Sequence, residues 1–218
     1  MATILSVKEQ TYQIIKEKIL NQEYPAGARI NINELAEELG ISNSPIREAL
    51  SLLEQQGLVI SNRSSGATVT TFTHRDQYEL SQMYLFWIVE SYRFCCETNR
   101  LGKLIKRAEE VLETQKIYFK SKDYKECAYY ANLFERCIIE ATGNKRMLAQ
   151  YDSIFPVFFL GSIYFLEGKE EERRLGLAQH EEILAAMKDG RHSDVIDIFK
   201  KHYYKPMWDL RLQDDETE

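Results

Sequence analysis

Two apolar stripes at helical spacing lie close together in the first quarter of the chain. The first follows Asn31, whose side chain can cap a helix, and it stops at Gly40. The second repeats at i, i+3, i+4 and i+7, which is the period of an α-helix: Ile46, Ala49, Leu50 and Leu53. Residues 40–42 are the predicted turn between them. The pattern therefore predicts two short helices joined by a tight turn.

The face opposite the second stripe is polar, and its side chains are short: Ser42, Asn43, Ser44, Arg47 and Ser51. Hydroxyls, an amide and an arginine at the start of a helix suit the base edges of the DNA major groove. Pro45 is tolerated there because N–H groups of a first helical turn have no partner within the helix. We therefore interpret this helix as a recognition helix.

Two β-prone runs follow, residues 58–60 and residues 67–69, and a glycine-containing loop separates them, which predicts a hairpin. Upstream, Ser6 and Glu9 have the spacing of a capping box and begin an amphipathic helix that ends before residues 24–27. Residues 6 to about 70 are thus predicted to form one winged helix-turn-helix.

From Asp76 onward the chain has almost no strand signal. Glycine and polar stops divide it into helical segments, predicted over 76–100, 103–120, 123–141, 145–166, 170–190 and 193–210. Pro156 is expected to kink or split the fourth of them. We predict a mostly α protein with a winged helix-turn-helix DNA-binding domain over residues 1–72. An all-helical antiparallel bundle of six to seven helices is predicted over residues 73–218.

Composition narrows the class of protein. The 218 residues are 44% apolar and 28% charged, which is enough for two domains with their own cores. No apolar run approaches the roughly 18 to 20 residues of a membrane span, and the first residues lack a signal-peptide pattern. The four cysteines show no CxxC pairing. We expect a cytoplasmic protein with no membrane partner.

Charge argues against a general nucleic-acid coat, because the net charge is −6 and the pI is near 5.4. Residues 1–75 contain seven Lys or Arg and eight Glu, so counting shows no basic patch. Spatial segregation is expected to supply one. The carboxylates expected to lie away from DNA are Glu34, Glu37, Glu38, Glu48 and Glu54. The cations expected to face it are Lys8, Arg29, Arg47 and Arg63.

The segment PAGARININELAEELGISNSPIREALSLLEQQGLV resembles the N-terminal domain of GntR-family bacterial transcription regulators. Its most specific part is the Pro-Ile-Arg-Glu-Ala-Leu core, residues 45–50. Family members usually carry Arg where this chain has Asn43. Because Arg pairs with guanine and Asn favours adenine, the operator is expected to differ from the usual one. The expected DNA-binding residues are Arg29, Asn33, Ser42, Asn43, Ser44, Arg47, Arg63 and Gly66.

The helical second part resembles the FadR-like branch of that family, which carries an effector-binding FCD domain. The resemblance depends on the spacing of Phe134-Glu135, residues 141–144, residues 179–183 and His202. Many FCD domains hold a divalent metal with one Asp and three His on inward helix faces. Here the Asp position is Ala131 and the first His position is Glu135, whereas His180 and His202 match.

Helical phase predicts that these three polar side chains point inward, since each shares a face with apolar residues. A buried carboxylate needs a partner, because burying an unpaired charge is costly. A divalent metal of the zinc or nickel type, held by Glu135, His180 and His202, would serve. The alternative is a pair of core histidines hydrogen-bonded to Glu135 or to Tyr hydroxyls.

The second domain is also rich in aromatic residues, and Phe86-Trp87 stands where the family often has an Arg. Two effector hypotheses follow: a small organic acid held by metal and His, or a larger apolar acyl-type ligand lying among Tyr and Phe. The expected effector-binding residues are Glu135, His180, His202, Phe134 and Tyr130.

Together these features predict a ligand-responsive transcription regulator that acts as a repressor or as a dual regulator. It would bind a palindromic double-stranded operator as a homodimer. The alternatives are a metal-binding helical protein, or an adaptor whose winged domain mediates protein contacts. An enzyme is not expected, because the chain has no P-loop, GxGxxG, HExxH or GxSxG pattern.

Overall fold

The computed structural model describes residues 5–62 and 66–214. The chain divides into two compact units, Met1–Phe72 and Thr73–Glu218. The first unit contains α1 (Val7–Leu20), β1 (Arg29–Asn31), α2 (Ile32–Leu39), α3 (Asn43–Gln55), β2 (Val59–Asn62) and β3 (Gly66–Val69). The second contains α4 (His74–Glu97), α5 (Leu101–Lys120), α6 (Tyr124–Ala141), α7 (Lys145–Phe165), α8 (Glu170–Lys188) and α9 (His192–Asp214).

The helices of the first unit begin where the sequence predicts. The backbone N–H of Glu9 donates to Ser6 Oγ at 3.3 Å, and the Ser6 N–H donates to the Glu9 carboxylate at 2.8 Å, which completes the capping box of α1. Asn31 caps α2 by accepting from the N–H of Asn33 at 2.9 Å. Gly40 ends α2 at φ 65°, a left-handed conformation that glycine adopts without strain.

The wing has one strand more than the sequence predicted. The three strands have the order β1-β3-β2, and β1 pairs with β3 as an antiparallel strand. Three residues are too few for an alternating pattern to reveal β1 in the sequence. Gly66 makes the pairing possible, because a Cβ there would lie 2.0 Å from the carbonyl oxygen of Ile30.

Packing of α1 against α3 orients the predicted recognition helix. The whole predicted stripe of α3 is buried, as are the facing residues of α1: Ile46, Ala49, Leu50 and Leu53 on α3, and Thr11, Ile15 and Ile19 on α1. This burial stabilises the unit by roughly 1.5–3 kcal/mol for each large aliphatic side chain. It also leaves the opposite, polar face of α3 to solvent, so the predicted winged helix-turn-helix is confirmed.

The second unit is the predicted helical bundle, with α5 packed on α6 and α4 packed on α9. Its largest fully buried side chains include Tyr84, Tyr92, Phe134, Tyr151 and Phe199. Pro156 lies inside α7 without splitting it, so that part of the prediction was wrong. Proline cannot donate to the carbonyl four residues earlier, but that residue is solvent-exposed, so water can serve as the partner. Across the described ranges, each helix is too short or too polar to cross a membrane.

Candidate functional site

The N-terminal end of α3 presents an exposed polar surface. Ser42, Asn43, Ser44 and Arg47 are all solvent-exposed. Ser42 is the N-cap residue, yet its side chain makes no capping hydrogen bond. Within residues 5–62 and 66–214, Arg47 forms no hydrogen bond or ion pair. The fold therefore leaves this guanidinium and hydroxyl available to an external partner.

Asn43 is oriented by a hydrogen bond that the sequence did not reveal. Its Nδ2 donates to Asn33 Oδ1 at 3.0 Å and links the starts of α3 and α2. An amide has two N–H donors and one carbonyl acceptor, so Asn43 keeps a free donor and its oxygen. That pair is what a bidentate contact to adenine N7 and N6 requires. The contact between the two asparagines holds Asn43 in one orientation, and their role in DNA binding stays a prediction.

The remaining expected DNA contacts are placed differently from one another. Arg29 lies exposed on β1. Gly66 is buried on β3, between β1 and β2, so it shapes the wing and is not an exposed DNA contact. Arg63 lies outside the described residues.

The expected segregation of charge is incomplete on α3. Lys8 lies 3.6 Å from the carboxylate of Glu48, which is the residue after Arg47. Both side chains are about half exposed, so the pair contributes little to stability. Glu38, one of the carboxylates expected to lie away from DNA, is instead paired with Lys18 at 2.9 Å, and Lys18 also binds Glu23 at 3.1 Å. The recognition face therefore carries a mixed charge rather than a uniformly positive one.

The second unit contains a cavity of about 390 Å³ that is partly open to solvent. Residues from all six helices, α4 to α9, line it, and Glu135, His180 and His202 are among them. The Nε2 atoms of His180 and His202 each lie 4.0 Å from Glu135 Oε1. The three side chains predicted to act together are thus brought together at one side of the cavity.

Two glutamines determine which imidazole nitrogens carry protons. Gln115 Oε1 lies 2.9 Å from His180 Nδ1, and Gln179 Oε1 lies 2.6 Å from His202 Nδ1. Because an amide oxygen only accepts, each Nδ1 must donate, and each neutral ring then has a bare lone pair on Nε2. Both lone pairs are on the side of the Glu135 carboxyl. Three acceptors so placed require a proton or a cation between them.

Burial changes the protonation of this cluster. Desolvation raises the pKa of Glu135 from 4.5 to about 8. It lowers the pKa of His180 from 6.5 to about 3 and that of His202 to about 4. In the described part of the chain, Glu135 Oε2 and His180 Nε2 have no hydrogen-bond partner. In the absence of a cation, the neutral state therefore has a protonated carboxyl beside two neutral imidazoles.

The nitrogen and oxygen donors of the cluster are of the types that bind a divalent metal, but the distances between them are too long for one. Two ligand atoms of a tetrahedral zinc with bonds of about 2.1 Å stand roughly 3.4 Å apart. The observed separations are 4.0 Å. Accordingly, residues 5–62 and 66–214 contain no ready-made group of three His, Cys, Asp or Glu ligands. The side chains would have to close by about 0.6 Å to hold zinc.

Two predicted effector residues lie elsewhere. Tyr130 stacks on Tyr118 with ring centroids 5.3 Å apart and is not part of the cavity lining. It is five residues from Glu135, which places it about 140° around α6, so it faces another side of the helix. Phe134 lies under the site rather than in it, because its ring stacks on His180 at 4.4 Å.

Several residues of the cavity were missed by sequence reasoning. Gln115 and Gln179 orient the histidines, and Arg173 and Gly176 lie on the face of α8 that carries His180. A signal for Gln115 exists, since it continues the buried spacing of Leu104 and Ala108 on α5. A polar residue in such a stripe indicates a buried hydrogen bond.

Comparison with known families adds to this geometry. Residues 7–69 match the family described as bacterial regulatory proteins, gntR family, and residues 90–204 match the FCD domain. The gluconate operon transcriptional repressor of Bacillus licheniformis is 28% identical over 183 residues, which cover 80% of this chain and 72% of that protein. The uncharacterized HTH-type transcriptional regulator YdhC of Bacillus subtilis (strain 168) is 41% identical over 71 residues. Those residues span 33% of this chain and about a third, 32%, of that relative.

Solved structures show the same fold. A transcriptional regulator GntR from Rhodococcus sp. RHA1 superimposes with a TM-score of 0.80 at 17% identity, over 92% of this chain and 95% of that one. The E. coli protein McbR/YncC gives a TM-score of 0.66 at 21% identity, over 96% and 99% of the two chains. At these identities the likeness concerns the fold alone.

Proposed function

The chain belongs to the gntR family of bacterial regulatory proteins, in the branch with an FCD domain, and from this premise we propose that it is an effector-controlled repressor. The family is one of DNA-binding transcription regulators rather than enzymes. We propose that two copies bind one palindromic operator. Effector binding in the second unit would then release the DNA.

The observation that carries this proposal is the exposed start of α3. A guanidinium without a partner among the described residues, an oriented amide and the uncapped Ser42 hydroxyl serve no purpose in packing. They are instead the groups that contact base edges and phosphates in a major groove. In the assigned roles, Arg47 and Asn43 contact bases, and Ser42 and Ser44 contact phosphates.

The homodimer is supported by the surface of α4. Phe86 is 60% exposed and Phe94 is 43% exposed, and the two lie about two turns apart on that helix. Large exposed aromatics on one element are typical of a surface that is covered by a partner. A two-fold dimer would present two recognition helices to half-sites one helical turn of DNA apart. The repressing sign follows by analogy with the gluconate operon repressor.

The effector is assigned to the cavity of the second unit, because the cavity is of small-molecule size and contains unsatisfied polar atoms. Glu135, His180 and His202 would meet the polar part of the effector. They would also hold a divalent metal if their side chains close around it, in which case the metal would supply a positive charge for an organic acid. The apolar walls suit the alternative, an acyl-type ligand.

Elemental analysis decides between the metal and the metal-free site. Protein purified without added metal is measured beside the His180→Ala variant. One equivalent of zinc or nickel that disappears with the substitution supports the metal site. The absence of metal from both preparations contradicts it and leaves the hydrogen-bonded cluster.

Operator binding tests the proposed function itself. Wild type, Arg47→Ala and Arg107→Ala are compared on a selected operator, and the molecular mass of each is measured by light scattering. Arg107 is an exposed arginine of α5 paired with Glu110, so its variant is the matched control. We expect Arg47→Ala to lose about 1–3 kcal/mol of binding free energy with the dimer intact, and the control to bind normally. Normal binding by Arg47→Ala would contradict the assigned role of α3.

A further inference from the structure

Arg173 is a positively charged residue of the cavity lining, and its guanidinium makes few contacts with the described residues. It is half-buried on α8 and lines the cavity. Its Nη1 donates to the carbonyl oxygen of Tyr124 at 3.4 Å, and the guanidinium lies over the Tyr124 ring at 5.4 Å. Among the described residues no carboxylate is within ion-pair distance of it. A guanidinium has five N–H donors, so most of them remain available.

The charge around the cavity favours an anion. Lys169 and Lys201 also line it, which gives three cations with Arg173 against two acidic side chains, Glu135 and Glu172. The chain as a whole carries a net charge of −6. A local excess of positive charge in an acidic protein concentrates anionic ligands at that place.

The two polar ends of the cavity are well separated. Arg173 and His180 are seven residues apart on α8, so they lie on one face about 10 Å apart along the axis. Gly176 lies between them and has no side chain to fill the gap. Phe158, Phe165 and Leu177 supply apolar lining. The cavity lining therefore combines apolar side chains with two unlike polar groups about 10 Å apart.

The end at His180 accepts hydrogen bonds. Its Nδ1 is committed to Gln115, and its Nε2 has no partner within residues 5–62 and 66–214. A ligand group that meets this atom must donate, as a hydroxyl or amine does. The end at Arg173, in contrast, requires an acceptor with negative charge.

We propose that the effector is an elongated organic anion whose carboxylate is bound by Arg173. Its far end carries a hydroxyl or amine that donates a hydrogen bond to Nε2 of His180. The inference rests on the proposed function only in taking this cavity as the effector site. It adds the length of the ligand, the group at its far end and the residue that binds its charge.

The test uses four probes of defined chemistry: 8-hydroxyoctanoate, 4-hydroxybutyrate, octanoate and 1,8-octanediol. Full-length protein is freed of metal with a chelator, which is then removed, and binding is followed by calorimetry and thermal shift. We expect 8-hydroxyoctanoate to bind tightest. The short acid cannot reach both ends, octanoate lacks the donor, and the diol lacks the charge.

Arg173→Gln should weaken binding of 8-hydroxyoctanoate about tenfold to hundredfold, which is the range for a lost hydrogen-bonded charge. Its binding of 1,8-octanediol should not change. The matched control is Arg174→Gln, since Arg174 is the next residue, is exposed and pairs with Glu171. The control should bind every probe as wild type does.

Three results would overturn the proposal. They are equal affinity of wild type for the hydroxy acid and the diol, unchanged affinity in Arg173→Gln, and absence of binding by all four probes. Failure of the proposed function is a separate result, because it appears as wild-type protein that selects no DNA sequence. Selective DNA binding together with any of the three results would refute the effector assignment alone.

Discussion

Gly176→Ala should make the protein more stable, because alanine favours the helix more than glycine does and the site has room for a methyl group. Glycine inside a helix costs about 0.8–1.0 kcal/mol relative to alanine. An added Cβ would lie 3.8 Å from Cε1 of His202, which is ordinary contact without a clash. The full gain of about 1 kcal/mol is therefore expected, or roughly 3 °C in melting temperature for a domain of about 150 residues.

Two other glycines provide the controls. Gly102 lies in the first turn of α5 with no atom within 4 Å of an added Cβ, so Gly102→Ala should also stabilise, by less than an interior site. Gly168 is equally open but has φ 69°, a left-handed conformation that costs other residues roughly 1–2 kcal/mol. Gly168→Ala should therefore destabilise. The sign is set by backbone conformation, since all three sites have room for a methyl group.

Calorimetric melting of the three variants is the assay. The Gly176 methyl group also occupies part of the cavity, so Gly176→Ala should respond less to effector while it binds operator normally. Gly102→Ala should keep the full response. A lower melting temperature for Gly176→Ala, or an unchanged effector response, would refute the view that this glycine leaves space for the effector in the cavity.

The remaining predictions concern caps, protons and salt. Thr73 and Asp76 form the capping box of α4, so Thr73→Ala should cost about 1 kcal/mol of unfolding free energy, measured by urea titration; no loss would show that the cap is dispensable. The pKa of Glu135 is raised from 4.5 to about 8, so the folded state keeps a proton that the unfolded chain releases. Stability of metal-free protein should therefore fall as the pH rises from about 7 to 8, where His180 and His202 are neutral in the folded state and mostly neutral in the unfolded chain, and Glu135→Gln should abolish that fall. Operator affinity should drop steeply with salt, and a flat salt titration would contradict phosphate contact.

The first unit was predictable because its apolar positions are local and periodic. The stripe of α3, the capping box at Ser6 and the stop at Gly40 each depend on residues within a few turns. The missed features depend on distant residues. Strand β1 exists only through its pairing with β3, and the contact between Asn33 and Asn43 joins two helices across a turn.

The features of the cavity were likewise predictable where they depend on one helix and unpredictable where they depend on distant residues. Helical phase correctly predicted that Glu135 and His180 point inward, because phase follows from spacing within one helix. The orientation of the imidazoles could not be predicted, since Gln115 lies 65 residues from His180 in the chain. Tyr130 lies on another face of α6 than Glu135, because aromatic character alone does not determine which face of a helix a side chain occupies.

Selection from random oligonucleotides tests the central claim most directly, because the claim is that the start of α3 contacts base edges. Wild type and Asn43→Arg are carried through the same selection at fixed salt. We expect each to enrich a palindromic consensus, with adenine in the wild-type half-site replaced by guanine for the variant. Absence of any consensus with wild type, or the same consensus from both proteins, would contradict the account.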